Sequence, residues 1–170
     1  MQGRLQQTYK VARELVNNAY FQGEMSLSQM SRLAELILAD QQDPRIEVTF
    51  EFGYNVYGFA SLKGHYKVQL DVECQRCLAP MVYPIDQDFE LLIDASDDDI
   101  EALQIDSVYT QDGYLDIFEV IEDELILALP IVMMHEDRYC NEYLQREPTA
   151  EPVAKENNPF AVLEALKGRK

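Results

Sequence analysis

The sequence predicts an α+β fold, with N-terminal helices, a four- to five-stranded antiparallel sheet, a late packing helix and a flexible C-terminal tail. Three observations point there. Apolar residues recur at helical spacing up to about residue 38, and from 46 to 93 they alternate with polar residues in successive runs. A strongly apolar stretch at 117–129 then runs into Pro130, and after residue 144 the composition is too polar to bury a core.

Residues 9–21 read as a first helix, with Val11, Leu15, Val16 and Ala19 on one face and Gly23 ending it. A second helix follows over 26–38. Ser26 and Gln29 are spaced as a capping box, Met25 and Met30 as a hydrophobic staple, and Met30, Leu33, Ala34, Ile37 and Leu38 form its buried stripe. Asp43-Pro44 is a break. Ile46, Val48, Phe50 and Phe52 alternate with Glu47, Thr49 and Glu51 as a half-buried strand. Gly53 and Gly64 bracket a weaker strand at 55–62. Tyr66, Val68, Leu70 and Val72 make another, and Cys74 continues its apolar face. Beyond a turn at 77–80, Tyr83, Ile85, Phe89, Leu91 and Ile93 alternate with polar and acidic residues. Short connections between such strands imply an antiparallel meander.

Residues 96–104 read as an acidic loop or short helix, and a short strand is placed around Val108 and Tyr109. Asp116, with Glu119 three residues on, is an N-cap signal for the apolar helix 117–129, which Pro130 stops. The expected organisation is one domain over 1–144, a flexible acidic, proline-containing linker at 145–158, and a short helix at 159–170 that opens with Asn158 as N-cap and Pro159. Phe160, Leu163 and Leu166 share one face of that helix. It is too short to be stable alone, so it must dock on its own domain or on a partner.

Composition narrows the class. With 47% hydrophobic residues in 170, the chain can bury a core. No stretch suits a membrane-spanning helix, residues 1–10 do not read as a secretory signal, and three cysteines do not make a disulfide framework. The expectation is a soluble, reduced, cytoplasmic protein. The net charge of −17 is segregated: residues 77–137 hold 17 of the 31 Asp and Glu and none of the 14 Lys and Arg. Such a segment repels phosphate and attracts a basic partner, though an acidic surface also simply keeps a protein in solution.

Cys74 and Cys77 lie two residues apart at a strand end, and Cys140 follows His135 by five. Three readings stay open. Cys74, Cys77, His135 and Cys140 form a three-thiolate, one-imidazole zinc site; or the thiols simply pack at the sheet edge; or the pair is redox-active, although no helix opens at it to lower a thiol pKa. Glu119, Glu122, Asp123 and Glu124 read as a solvated face of the late helix. There is no Gly-rich phosphate loop, nucleophile elbow or Ser-His-Asp set, and His65 and His135 stand apart in sequence, so catalysis is not expected.

Four motifs occur together: Glu73-Cys74-Gln75-Arg76-Cys77, Glu122-Asp123-Glu124 running to Leu127, Leu129 and Pro130, the stretch from His135 to Cys140, and Asn158-Pro159-Phe160-Ala161-Val162-Leu163. In this order they resemble the YceD family, bacterial and plastid proteins linked to accumulation of large-subunit ribosomal RNA. The resemblance implies a non-enzymatic role in supporting 23S rRNA synthesis, processing or stability. The acidic segment at 77–137 makes a basic ribosomal protein or assembly factor the expected partner. A pre-50S particle or 23S rRNA is possible through the resemblance, and no membrane is expected. Arg76, Glu119, Glu122, Asp123, Glu124, Phe160, Leu163 and Leu166 are the expected contact residues. The alternative is direct RNA binding by Arg4, Lys10, Arg13, Arg32, Arg45, Lys63, Lys67 and Arg76, all of which precede the acidic segment.

Overall fold

The computed structural model describes residues 5–38 and 43–141. The chain divides into two compact units, 1–135 and 136–170, and all regular secondary structure among the described residues belongs to the first. In chain order it runs β1 (Thr8–Lys10), α1 (Val11–Asn17), β2 (Tyr20–Ser26), a 3-10 turn (Leu27–Gln29), α2 (Ser31–Ala34), β3 (Arg45–Tyr54), β4 (Ala60–Glu73) and β5 (Pro80–Ile93). Then come α3 (Asp97–Leu103), β6 (Ser107–Val108), β7 (Tyr114–Asp116) and α4 (Ile117–Ala128). The expected linker at 145–158 and helix at 159–170 lie outside the described residues.

The α+β class and the meander agree with the sequence. β2, β3, β4 and β5 pair antiparallel in order, while β6 adds to β5 in parallel, and β1 and β7 form a separate two-stranded ribbon. Alternation puts Ile46, Val48, Phe50 and Phe52 of β3 and Tyr66, Val68, Leu70 and Val72 of β4 into the core. Ile117, Val120, Ile121 and Leu125 of α4 join them. Asp116 caps α4 as its sequence signal indicates, accepting from Phe118 N at 3.0 Å and Glu119 N at 3.2 Å. The Tyr66 hydroxyl donates to the Glu124 carbonyl at 3.2 Å, tying that helix to the sheet.

Three elements differ from their sequence reading. The helix expected over 9–21 is a single short α1 between two strands. Asn18, left-handed at φ 43°, ends it, and its N–H turns back to the carbonyls of Glu14 and Leu15. The following residues pair with β3, where Phe21 packs on Phe50 and Tyr9 with ring centroids 5.1 and 4.5 Å apart. Strand pairing and aromatic burial override the helical spacing, and Val16 is left 83% exposed. Gly23 lies inside β2 and terminates nothing.

The second helix is reduced to a 3-10 turn and one turn of α2. Ser26 does not cap it; its hydroxyl meets Asp43 and Ser28 instead. The cap comes from the other end of the domain. Glu122, which the sequence reading placed on a solvated face, is only 7% exposed. Its carboxylate accepts Arg32 N at 2.7 Å and Leu33 N at 3.1 Å, and Arg32 Nε and Nη2 at 3.1 and 3.0 Å. Asp123 takes Arg32 Nη1 at 2.6 Å. Burial opposes the Glu122 charge, but the Leu33 N–H and the Arg32 donors outweigh it and hold its pKa below the usual carboxylate value.

The weak strand expected at 55–62 is a turn followed by the start of β4. Asn55 Oδ1 accepts from Tyr57 N and Phe59 N, both at 3.0 Å, and Gly58 takes φ 86°. Gly64 bounds no strand; β4 passes through it. A Cβ there would lie 2.5 Å from the Phe89 ring and from the Thr49 carbonyl oxygen, so glycine lets the Phe89 ring cross the sheet closely.

Two outcomes follow. Gly64→Ala should lower stability by about 1–3 kcal/mol through overpacking, read as a lower urea midpoint at unchanged slope. Glu122→Ala should cost about 2–3 kcal/mol by removing charge-assisted bonds to two backbone N–H groups. Glu122 has a depressed folded pKa, so its stabilisation is full above the unfolded value near 4.5 and is lost as pH falls through the folded one. Acid unfolding of Glu122→Ala should therefore lack that part of the wild-type pH dependence.

Candidate metal centre

β4 delivers Cys74. The strand ends at Glu73, and the next residue continues its inward face, fully buried. Cys74 N donates to the Ala79 carbonyl at 3.0 Å and Leu78 N to the Cys74 carbonyl at 2.8 Å, closing residues 74–79 into a knuckle that re-enters the sheet as β5. Leu78 holds a left-handed φ of 60° and is 68% exposed. A conformation that favours glycine is thus kept by a leucine with little packing to justify it.

The segment after α4 lies against this knuckle. Gln75 N donates to the Met133 carbonyl at 2.8 Å, and Arg76 Nη2 reaches Met134 Sδ at 3.2 Å. His135 is thereby set beside both thiols. Its N–H points at Cys74 Sγ at 3.4 Å, and its Nδ1 lies 3.4 Å from Cys77 Sγ. The donor atoms of Cys74, Cys77 and His135 all fall within 4.8 Å of one another, a group able to hold a metal ion. A tetrahedral ion with bonds of about 2.0–2.3 Å needs donors roughly 3.5 Å apart, so the spacing is close to what coordination requires.

Electrostatics suit the same use. Burial pushes the Cys74 thiol up, but N–H groups of His135, Cys77 and Arg76 and the Cys77 side chain aim at the sulfur. The net effect lowers its pKa from 9.0 to about 5. These donors favour the thiolate of Cys74, the form that binds metal. Being fully buried, it is poorly placed to attack a dissolved disulfide, and no helix opens at the pair. Cys140 belongs to the second unit, where its N–H donates to the Asp137 carbonyl at 3.3 Å while Tyr139 N donates to Asp137 Oδ1 at 2.9 Å.

The remaining sequence-predicted residues scatter. Glu119 and Asp123 are exposed on α4, Glu124 is half-buried, and Glu122 is used in the clamp on α2. Phe160, Leu163 and Leu166 lie outside the described residues. Sequence reasoning missed the Arg32–Glu122 clamp, which has no local signal because its partners are 90 residues apart. It also missed the N–H groups around Cys74, since backbone donors leave no trace in residue types.

Residues 62–167 match the family described as "Large ribosomal RNA subunit accumulation protein YceD". The Haemophilus influenzae protein of that name is 33% identical over 151 residues, covering 85% of this chain and 86% of that protein. No solved structure matches the chain.

The knuckle makes a checkable statement about pH. The folded pKa of Cys74 is depressed, so its stabilisation is complete above the ordinary 9.0 and is lost as pH falls through about 5. Metal-free protein should gain melting temperature across that window, Cys74→Ser should gain less, and ultraviolet absorbance should show a thiolate at neutral pH. Leu78→Gly should relieve about 1 kcal/mol of left-handed strain, measured by chemical denaturation.

Proposed function

The chain belongs to the YceD family, and from that premise we propose that it supports accumulation of large-subunit ribosomal RNA as a non-catalytic cytoplasmic adaptor. It acts by holding a basic ribosomal protein or assembly factor, or a pre-50S particle that presents one. The observation that carries this reading is the placement of charge. Residues 77–137 have no Lys or Arg, so nucleic acid is repelled there and a basic protein is attracted. Glu119, Asp123 and Glu124 belong to that surface, with Arg76 at the knuckle and Phe160, Leu163 and Leu166 as a docking face on the tail; Glu122 is spent inside the fold.

Direct RNA binding is the weaker reading. Arg13 pairs with Glu14, Arg32 with Glu122 and Asp123, and Arg45 with Glu24 at 3.7 Å. Lys63 meets Glu90 at 3.2 Å and Lys67 meets Asp86 at 2.7 Å. These five cations already have acidic neighbours, so counterion release from phosphate would gain less at them.

Zinc is the cofactor that the donor set suits. Cys74, Cys77 and His135 supply three ligands. Cys140, which five residues of chain can carry up to about 17 Å from His135, supplies the fourth. Three thiolates and one imidazole form a closed tetrahedral site of structural type, which ties the strand end to the segment after α4.

Loss of the protein should lower large-subunit RNA relative to small-subunit RNA, measured on total RNA from a deletion strain. An unchanged ratio would remove the functional reading. One zinc per chain should co-purify and be lost in Cys77→Ser. Metal-free protein with three titrating thiols would leave only thiol packing at the sheet edge.

A further inference from the structure

A groove of about 530 Å³ runs along α4 on the side of β6 and α3. Val108, Ile126 and Leu127 line it with apolar surface over the buried Val120, and Asp106, Asp123 and Glu124 rim it. Arg32 stands at one side, already engaged by Glu122 and Asp123. Beyond Val120 the depression continues past Asp112 and Glu119, adding acids and no base. Leu127 is 75% exposed, and Ile131, just past the helix end, is 98% exposed. Apolar side chains of that size, gathered at one helix end, mark an interaction surface better than scattered ones do.

The rim identifies the occupant's chemistry. Among the described residues, no Lys, Arg or His pairs with Asp106 or Glu124. Glu124 is raised above the usual carboxylate pKa, first by burial and then by the negative charges of Asp106 and Asp123. The site therefore carries concentrated negative charge that a cation would relieve. A phosphate backbone would be repelled, and so would a second copy of a chain with net charge −17. An apolar floor beside carboxylates fits a helix with aliphatic residues on one stripe and Lys or Arg at its border.

We propose that this groove docks an amphipathic helix of a basic protein, with aliphatic side chains on Val108 and Leu127 and a lysine or arginine between Asp106 and Glu124. The proposal rests on the adaptor reading and locates its contact. The test places a photoreactive leucine analogue at position 127 of the full chain in growing cells and sequences the cross-linked peptide. The expected product is an amphipathic, Lys/Arg-rich segment of another protein, with its yield falling at least about tenfold in Asp106→Lys/Glu124→Lys. The same analogue at Val16, exposed on α1, should not give it. Cross-links to residues 142–170 of the same chain, an acidic partner peptide, no product, or a yield indifferent to charge reversal would each overturn the groove. If the chain still co-sediments with large-subunit particles in a salt-sensitive way, the adaptor reading survives that failure. Cross-links to RNA would overturn both.

Discussion

The antiparallel ladder between β4 and β5 is the constraint on which the rest depends. It runs in unbroken register from Ser61 opposite Leu92 to Glu73 opposite Pro80. With side chains alternating, a slip of one residue would send Tyr66, Val68, Leu70 and Val72 into water. Burial of that inner face therefore sets the register. The register in turn decides which charges meet outside and where the strand end falls. Gly64 is the point at which it admits no other side chain, because Phe89 on the partner strand occupies the space a Cβ would need.

The outer face shows how the fold handles segregated charge. Eight of the 14 Lys and Arg precede residue 77 and none lies in 77–137, yet the ladder brings bases of the first segment against acids of the second. Lys63 stands opposite Glu90 and Lys67 opposite Asp86, while His65 lies 2.9 Å from Asp88 and 3.2 Å from Asp86. The clamp of Arg32 on Glu122 and Asp123 repeats this between α2 and α4. Acids on the sheet are thus partly neutralised, while among the described residues no Lys, Arg or His pairs with the acids of α3 or with Asp106, Glu119 and Glu124. A sequence with one acidic segment thus folds so that part of that charge meets bases across the sheet and at the Arg32 clamp, while the acids of α3 and the groove rim are left without a paired base among the described residues.

The candidate metal centre depends on the same ladder at its far end. β4 brings Cys74 to the core side, the left-handed Leu78 closes the knuckle, and α4 ends where Met133 can pair with Gln75. The N–H groups of His135, Cys77 and Arg76 are turned on the Cys74 sulfur and favour its thiolate. Backbone bonds at the knuckle and to Met133 thus hold Cys74, Cys77 and His135 close together.

The α+β class, the meander of strands, the Asp116 cap and apolar stripe of α4, and the Cys74–Cys77 pair at a strand end were all legible in the sequence. Each rests on a local rule: period-two alternation, helical spacing, a capping side chain, or a fixed ligand interval. The N-terminal elements were not legible. Val11 and Leu15 carry helical spacing, but β3 recruits residues 20–26 as a strand because pairing and the contact of Phe21 with Phe50 outweigh intrinsic preference. Nor could local pattern show that Glu122 is buried, that Gly64 lies inside a strand, or that His135 meets Cys77. Those facts join residues tens of positions apart, and only the folded chain, by burying one face of its sheet, brings them within bonding distance.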